Sequence, residues 1–500
     1  MESITARQWL ILLTVQITTI QFGITITSVA VILPQMRGAL AATQDQIAWL
    51  LTFNMVATAV ATPLTGWLAA KLGWRRLMLS SVVGFTASSV LCGLADSLEA
   101  LLVLRVIQGA FGAPIFPMGQ AILLASFSRA QHPFILMMWG VGGVLGPILG
   151  PSFGGLIAEA LDWRWTFILI LPLGVASGML VMLVLSDQEK GRARPFDSLG
   201  FLFIAVAVGA AQLMFDRGQR NDWLESIEIV IEFVLCVTFL YLFVVHTLTA
   251  RTPLFDPATF GDRNFMLGVT FAFVLGMLQY TPMVLFPPLL QDLRGYPDSY
   301  VGFLIAMRGI GNFLGFFVVT QFTRYNARLC LFTGVVIQAL AALWMATLDI
   351  NMTPDHVLWT NLLHGIGNGL SYTPLAVLAF STLPAALVTQ GSALFSLLRN
   401  LGSSIFISLT LVVFVRSTAA ANSDLASVVT VFNPHLLAAW TATFGNPDQA
   451  MLQLRVGAEV GRQAAMIGYI NAFYLLTLVP ALAAPLVFLF VTRKTGRVAR

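Results

Sequence analysis

Residues 140–155 read GVGGVLGPILGPSFGG: no charged side chain, Gly142, Gly146 and Gly150 four positions apart, and Pro147 and Pro151 set among them. Small residues at four-residue spacing let two helix backbones touch, which is how helices associate in lipid, where packing rather than water release drives contact. Proline inside such a segment predicts a bend. The stretch sits in an apolar run near 133–158, and a helix needs about 20 apolar residues to cross roughly 30 Å of hydrocarbon.

Outward from that stretch the same pattern recurs. Fourteen apolar runs can be marked, near 8–32, 46–70, 77–95, 99–121, 133–158, 164–186, 198–215, 227–249, 265–290, 299–320, 328–348, 356–380, 390–416 and 465–491. They are continuous and rich in Leu, Val, Ala and Phe rather than alternating, so they predict helices and not the strands of a membrane barrel. Of 500 residues 57% are hydrophobic and 10% charged, against about a quarter charged in soluble domains. A water-soluble fold is excluded, because so much apolar surface has nowhere to hide. The first run follows a weakly charged start without a small-residue cleavage site and is expected to stay as a span. Cys92, Cys236 and Cys330 fall in or beside apolar runs with no metal-ligand spacing, so they read as packing residues and no metal is expected.

The net charge of +4 reports topology rather than an anionic partner such as nucleic acid. Between the runs, sixteen Lys and Arg fall on the N-terminal face and eight on the other. The positive-inside rule then predicts both termini on the cytoplasmic side. Charge clusters at Asp187–Asp197 and Arg251–Arg263 divide the chain into a six-helix bundle at 1–187, two inserted transmembrane helices with linkers at 188–264, and a second six-helix bundle at 265–500. The second bundle includes the longest expected loop, 417–464, facing outward. The expectation is an all-α polytopic membrane protein in a 6 + 2 + 6 arrangement, the plan of the major facilitator fold with its substrate site at the midplane between the halves.

Three segments carry motifs. GWLAAKLGWRR at 66–76 sits in the turn between the second and third helices and resembles the facilitator loop motif, with Gly66, Gly73, Lys71, Arg75 and Arg76 matching and Ala70 standing where the family has Asp. RVIQGAFGAP at 105–114 puts Arg105, Gln108, Gly109 and Gly112 largely on one face of the fourth helix and resembles the motif R-x-x-q-G. An arginine at membrane depth is costly, so Arg105 reads either as a cavity group or as a structural clasp. The opening stretch resembles the antiporter motif G-x-x-x-G-P-x-x-G-G through Gly142, Gly146, Pro147, Gly150, Pro151, Gly154 and Gly155. With fourteen helices, these motifs make the chain similar to the EmrB/QacA drug exporter family and closest to its EmrB branch. PLTGWL at 63–68, DRGQRNDW at 216–223, PLLQDLRGY at 288–296 and SALFSLLRNLGSSIFIS at 392–408 extend that likeness along almost the whole length.

The resemblance implies secondary active export of hydrophobic small molecules by alternating access, with the proton gradient as energy source and no cofactor. It also implies a periplasmic adaptor, a membrane fusion protein, and an outer-membrane channel as partners, with 417–464 as the adaptor contact. One departure bears on coupling. The family's first-helix Asp is absent: the matching region reads QFGITITSVAVILP at 21–34, and no acid occurs between Glu2 and Asp45. Other coupling candidates are Glu232 on the eighth helix, Asp292 at the outer end of the ninth and His364 in the twelfth, with the buried Arg105, Arg308 and Arg399. Exporters of dications need a buried carboxylate, since an unpaired buried ion is expensive. Arginines in its place predict neutral or weakly acidic lipophilic cargo. Candidates for the cavity lining are Gln21, Thr25, Asn54, Gln120, Trp139, Tyr280, Asn312, Asn368, Tyr372 and Asn400, each of which reads more readily as an interhelical hydrogen bond than as a ligand contact. A proton-independent facilitator or single-metabolite exporter of the same fold is the alternative. No nucleotide loop or hydrolytic motif is present, so no enzyme activity is expected.

Overall fold

Thr5 and Thr43 each open a helix with a capping box. Their hydroxyls accept from Gln8 N at 3.3 Å and Gln46 N at 3.2 Å, and the two glutamines accept from the capping backbone at 2.9 and 3.0 Å. The computed structural model describes residues 4–128, 130–186, 195–219, 221–429 and 449–491, and every regular element among them is helical. The first six spans are Ala6–Ala39, then Gln44–Ala61 continuing into Thr65–Leu72, then Trp74–Gly93, then Leu98–Gly112 with Ile115–Ser126, then His132–Ala160, then Trp163–Ile168 with Leu171–Val184. The seventh and eighth are Ser198–Arg217 and Ile227–Thr249, and the ninth is Arg263–Arg294. The tenth and eleventh share Asp298–Met345, parted where Asn326 leaves helical geometry at φ −156° and ψ 93°. Pro354–Phe380, Val388–Val428 and Gln449–Ala483 complete fourteen.

Twelve of these helices are long and apolar enough to cross a membrane. The fifth and twelfth, of 29 and 27 residues, are as long. Helices satisfy their own backbone groups, which lipid cannot do for them. The eighth helix turns Leu240, Tyr241, Val244 and Leu248 outward, as a lipid-facing helix should.

One boundary is corrected. The expected loop 417–464 is largely helix: the thirteenth helix runs on to Val428 and the fourteenth begins at Gln449. Asn433, Pro434, Gly445, Asn446 and Pro447 lie outside the described residues. The stretches STAAANSDLAS at 417–427 and QAMLQLRVGAEVGRQA at 449–464 are polar but rich in Ala, Leu, Gln, Glu and Arg, all good helix formers. Loss of hydrophobicity marked the end of the hydrocarbon and not the end of the helix. At 41 residues, the thirteenth helix is about 60 Å long, roughly twice the hydrocarbon thickness. Of the charges counted for topology, Arg129, Lys190, Arg192, Arg194, Arg220, Arg493, Lys494, Arg497 and Arg500 also lie outside the described residues.

Packing follows one scheme twice. In the first six helices the first packs on the fifth, the second on the fourth and the third on the sixth; in the last six the ninth packs on the thirteenth, the tenth on the twelfth and the eleventh on the fourteenth. The seventh helix is pinned between these groups. Thr52 of the second helix donates to Asp216, and Gln212 Nε2 donates to Ser404 Oγ of the thirteenth at 2.8 Å. Asp197, the cap of the seventh helix, accepts from Gly200 N at 2.9 Å, contacts His246 of the eighth at 2.8 Å, and accepts from Leu254 N at 2.9 Å.

Candidate functional site

The glycine stretch packs the fifth helix directly on the backbone of the first. A Cβ placed on Gly146 would lie 2.9 Å from Gly23 Cα and 3.0 Å from Ile20 O. On Gly150 it would overlap Thr27 Oγ1 and lie 2.9 Å from Ile24 O; on Gly154 it would lie 2.8 Å from Ser28 O. Gly142 abuts the Gln16 side chain. Ser28 Oγ donates across the seam to Gly150 O at 2.9 Å. Gly143 and Gly155 face elsewhere and would meet only Phe116 and Val31, at 3.6 Å each. The helix runs without a break through 147 and 151, whose side chains lie outside the described set.

A second seam was not read from the sequence although its signal is plain. RGIGNFLGF at 308–316 is echoed by HGIGNGLSY at 364–372. The tenth and twelfth helices bring these copies together at backbone contact. A Cβ on Gly365 would lie 2.9 Å from Asn312 N, one on Gly369 2.9 Å from Phe316 N, and one on Gly315 3.0 Å from Leu370 N. The helices are parallel and in register, so equivalent positions form a ladder with rungs four residues apart: Arg308 with His364, Asn312 with Asn368, Phe316 with Tyr372. The middle rung is a hydrogen bond, Asn368 Nδ2 to Asn312 Oδ1, at 3.1 Å.

The lowest rung meets the first six helices. Trp139 of the fifth helix lies 6.3 Å from the Tyr372 ring and 4.5 Å from that of Phe116, and its Nε1 donates to Thr19 Oγ1 at 3.0 Å. Gly140 approaches Phe316. Arg399 of the thirteenth helix lies 4.2 Å over the Phe116 ring and donates to Tyr372 Oη at 3.2 Å. Nearer the helix ends, a Cβ on Gly66 would lie 2.7 Å from Gln390 Cγ, and Gln390 Oε1 accepts from Asp256 N at 3.2 Å. All these contacts lie in the half of the bundle that ends at the 72–74 turn, on the face shared by the described chain ends. Aromatic rings and one guanidinium thus make a closed contact between the two helix groups there. The polar stripe Asn361, His364, Asn368 and Tyr372 leads down to that closure.

The remaining sequence candidates divide by position. Arg105 is buried and ties three helices: Nε donates to Leu50 O at 3.1 Å, Nη1 donates to Gln108 Oε1, and the guanidinium lies 6.0 Å from the Phe167 ring. Asn54 Nδ2 donates to Arg105 O at 2.9 Å. Gln21 joins Thr86 and Ser177 at 2.8 and 2.9 Å, and Thr25 caps back to Gln21 O at 2.8 Å. Apart from the Arg105–Gln108 and Thr25–Gln21 bonds, which stay within one helix, these are interhelical fasteners. Gln120 differs: it is fully buried, with neither amide atom hydrogen-bonded among the described residues. Tyr280 and Asn400 are half-buried. Glu232 lies on the eighth helix, which packs chiefly on the seventh, one turn from the Glu228–Arg217 ion pair. Asp292 is exposed at the end of its helix. In the loop motif, Gly73 takes φ 85° to turn the chain, Lys71 lies 4.6 Å over Trp67, and the Trp67 ring packs at a tilt 4.6 Å from that of Phe196; Arg75 is half-buried and Arg76 exposed.

Among the described residues no Asp or Glu stands at mid-depth in the first six or the last six helices. No cluster of three His, Cys, Asp or Glu able to hold a metal occurs among them.

The profile of the Major Facilitator Superfamily matches residues 15–407. The multidrug export protein EmrB of Haemophilus influenzae is 33% identical over 413 residues, 82% of this chain and 81% of that protein. The fatty acid resistance protein FarB of Neisseria gonorrhoeae is 30% identical over 470 residues, 93% and 92% of the two chains. In fold, the chain resembles the proton:xylose symporter XylE, with a TM-score of 0.64 at 12% identity over 98% of this chain and 97% of that one. It likewise resembles the human organic anion transporter MFSD10, with a TM-score of 0.61 at 12% identity over 95% and 100%.

Proposed function

This chain belongs to the major facilitator superfamily, to its EmrB branch of multidrug exporters, and we propose that it expels neutral and weakly acidic lipophilic compounds across a bacterial inner membrane. It is a transporter and not an enzyme. The observation that carries the cargo reading is the sign of the buried charge: Arg105, Arg308 and Arg399 are each at most 6% exposed, with no described carboxylate at their depth. A dication entering such an interior would meet like charge without compensation. The resistance to fatty acids in the name of one relative fits the same chemistry.

In this reading 1–187 and 265–500 rock about the midplane, with 188–264 as the inserted pair between them, both termini in the cytoplasm and the proton gradient as the drive. The aromatic closure around Trp139, Tyr372 and Arg399 then seals the cytoplasmic side. The lack of an acid on the first helix also supports a second reading, a proton-independent facilitator. The two part in proteoliposomes loaded with a lipophilic weak acid or a dication at imposed pH gradients. The first expects gradient-driven export of the acid and none of the dication. Export confined to permanent cations would overturn the charge argument, and equilibration unaffected by collapse of the gradient would select the facilitator.

The helical arms at 417–428 and 449–464 extend past the apolar runs toward the opposite face, the periplasm in this reading. They are where we place contact with a periplasmic adaptor and, through it, an outer-membrane channel. Shortening the segment 417–464 is expected to abolish drug tolerance in double-membraned cells while sparing transport in vesicles; loss of both would rule the contact out.

A further inference from the structure

The top rung of the ladder holds unused hydrogen-bonding capacity at the meeting of three helices. Arg308, 5% exposed, gives Nη2 to Leu278 O of the ninth helix at 3.0 Å and has no partner for Nη1 among the described residues. His364, fully buried, has none among them for either ring nitrogen. Gly365 holds the twelfth helix against the backbone of Arg308, so the Arg308 and His364 side chains share one level. Tyr280 of the ninth helix lies within electrostatic reach of Arg308. One turn above His364, Asn361 Oδ1 is also without a partner among the described residues. The acids nearest this rung on the three helices stand at helix ends: Asp292, exposed at the end of the ninth, Asp298, the first residue of the tenth, and Asp355 in the first turn of the twelfth.

An unsatisfied guanidinium in a dry interior is costly to keep, and groups left so in native proteins call for a partner that arrives from outside. A guanidinium N–H makes a charge-assisted hydrogen bond to a carboxylate oxygen, shorter and stronger than a neutral one. We propose that the rung of Arg308 and His364 is the recognition site for the head group of a lipophilic carboxylate, whose tail extends down the ladder toward Phe116 and Trp139. Arg308 Nη1 and a His364 N–H donate to the two carboxylate oxygens, and the Tyr280 hydroxyl stands as a third donor. The neutral histidine suffices, since the charge is balanced one to one by Arg308.

The inference rests on the weak-acid reading above, and its test separates the two. Purified full-length protein in nanodiscs is titrated with radiolabelled dodecanoate and with uncharged dodecanol at neutral pH, for the native chain and for Arg308→Gln, Arg308→Lys and His364→Gln. A charge-assisted hydrogen bond contributes about 1.5–3 kcal/mol, or roughly ten- to a hundredfold in affinity. Arg308→Gln is expected to weaken dodecanoate by that factor and leave dodecanol nearly unchanged, and Arg308→Lys to keep most of the acid binding. His364→Gln retains an N–H donor and is expected to fall between them. Equal loss of both ligands in Arg308→Gln, or unaltered dodecanoate binding in a monodisperse Arg308→Gln protein, overturns the site. If, reconstituted in proteoliposomes, the native protein and Arg308→Gln transport dodecanol and dodecanoate alike, the exporter reading stands and the site falls; if there the native protein moves neither, the exporter reading falls first.

Discussion

Gly146→Leu is expected to leave no measurable export and to yield a chain that does not purify as a single species, whereas Gly143→Ala, three positions away, is expected to transport almost as the native chain does. The reason is the identity of the neighbours. At Gly146 the atoms in the way are Gly23 Cα and Ile20 O, both backbone, so no rotamer change relieves the clash and the first and fifth helices must part. Overpacking where side chains can adjust costs about 1–3 kcal/mol; here separation also forfeits the contacts at Gly150 and Gly154 and the Ser28 hydrogen bond. Against a total stability of about 5–15 kcal/mol, that is enough to unseat the helix pair. Gly143, by contrast, has its nearest neighbour, Phe116, at an ordinary 3.6 Å. Gly155→Ala should be equally mild, although the resemblance to the antiporter motif includes it. Export from cells and size-exclusion profiles of the variants measure both arms; a fully active Gly146→Leu would mean that the seam is not the anchor of the fifth helix.

The second large effect is a reversible lock. In Gly66→Cys with Gln390→Cys, oxidation is expected to stop transport and a reductant to restore it. A Cβ on Gly66 lies 3.4 Å from Gln390 Cβ, close to the about 3.5–4.5 Å that disulfides adopt. The atom it would strike at 2.7 Å, Gln390 Cγ, is replaced in the double variant by the sulfur that forms the bond. The bridge would join the second helix to the thirteenth and hold the passage shut on one face, and alternating access needs that face to open. Cys92 and Cys330 are buried and Cys236 partly so, which leaves the new pair as the readily oxidised one. Transport by the oxidised, cross-linked protein at the native rate would show that this contact does not part during the cycle.

The two seams differ in how far the sequence disclosed them. The Gly142–Gly154 spacing is local: four residues along one helix state that a backbone will come close, and only the identity of the partner waits for the fold. The ladder needs two segments 56 residues apart, both within the last six helices. A comparison of one six-helix group with the other passes over it, though GIGN stands at 309–312 and again at 365–368. Arg105 illustrates a third limit. Sequence places a charge in the membrane, but whether it faces a cavity or clasps a neighbour depends on where Leu50 O and Phe167 lie. The polar arms of the last two helices escaped because hydropathy measures the solvent and helix propensity the backbone, and at 417–428 the two disagree.

The glycine seam and the ladder also differ in what inheritance can do with them. Glycine is the smallest residue, so every missense change at Gly146 or Gly150 adds atoms to a space that has none to give, and such changes can only be lost or compensated. Arg308 and His364 occupy equivalent places in two copies of one motif, and arginine and histidine codons can differ by a single base. The seam is therefore frozen across generations while the rung can be retuned, and shifts in what the chain carries are to be sought at positions 308 and 364 rather than along the fifth helix.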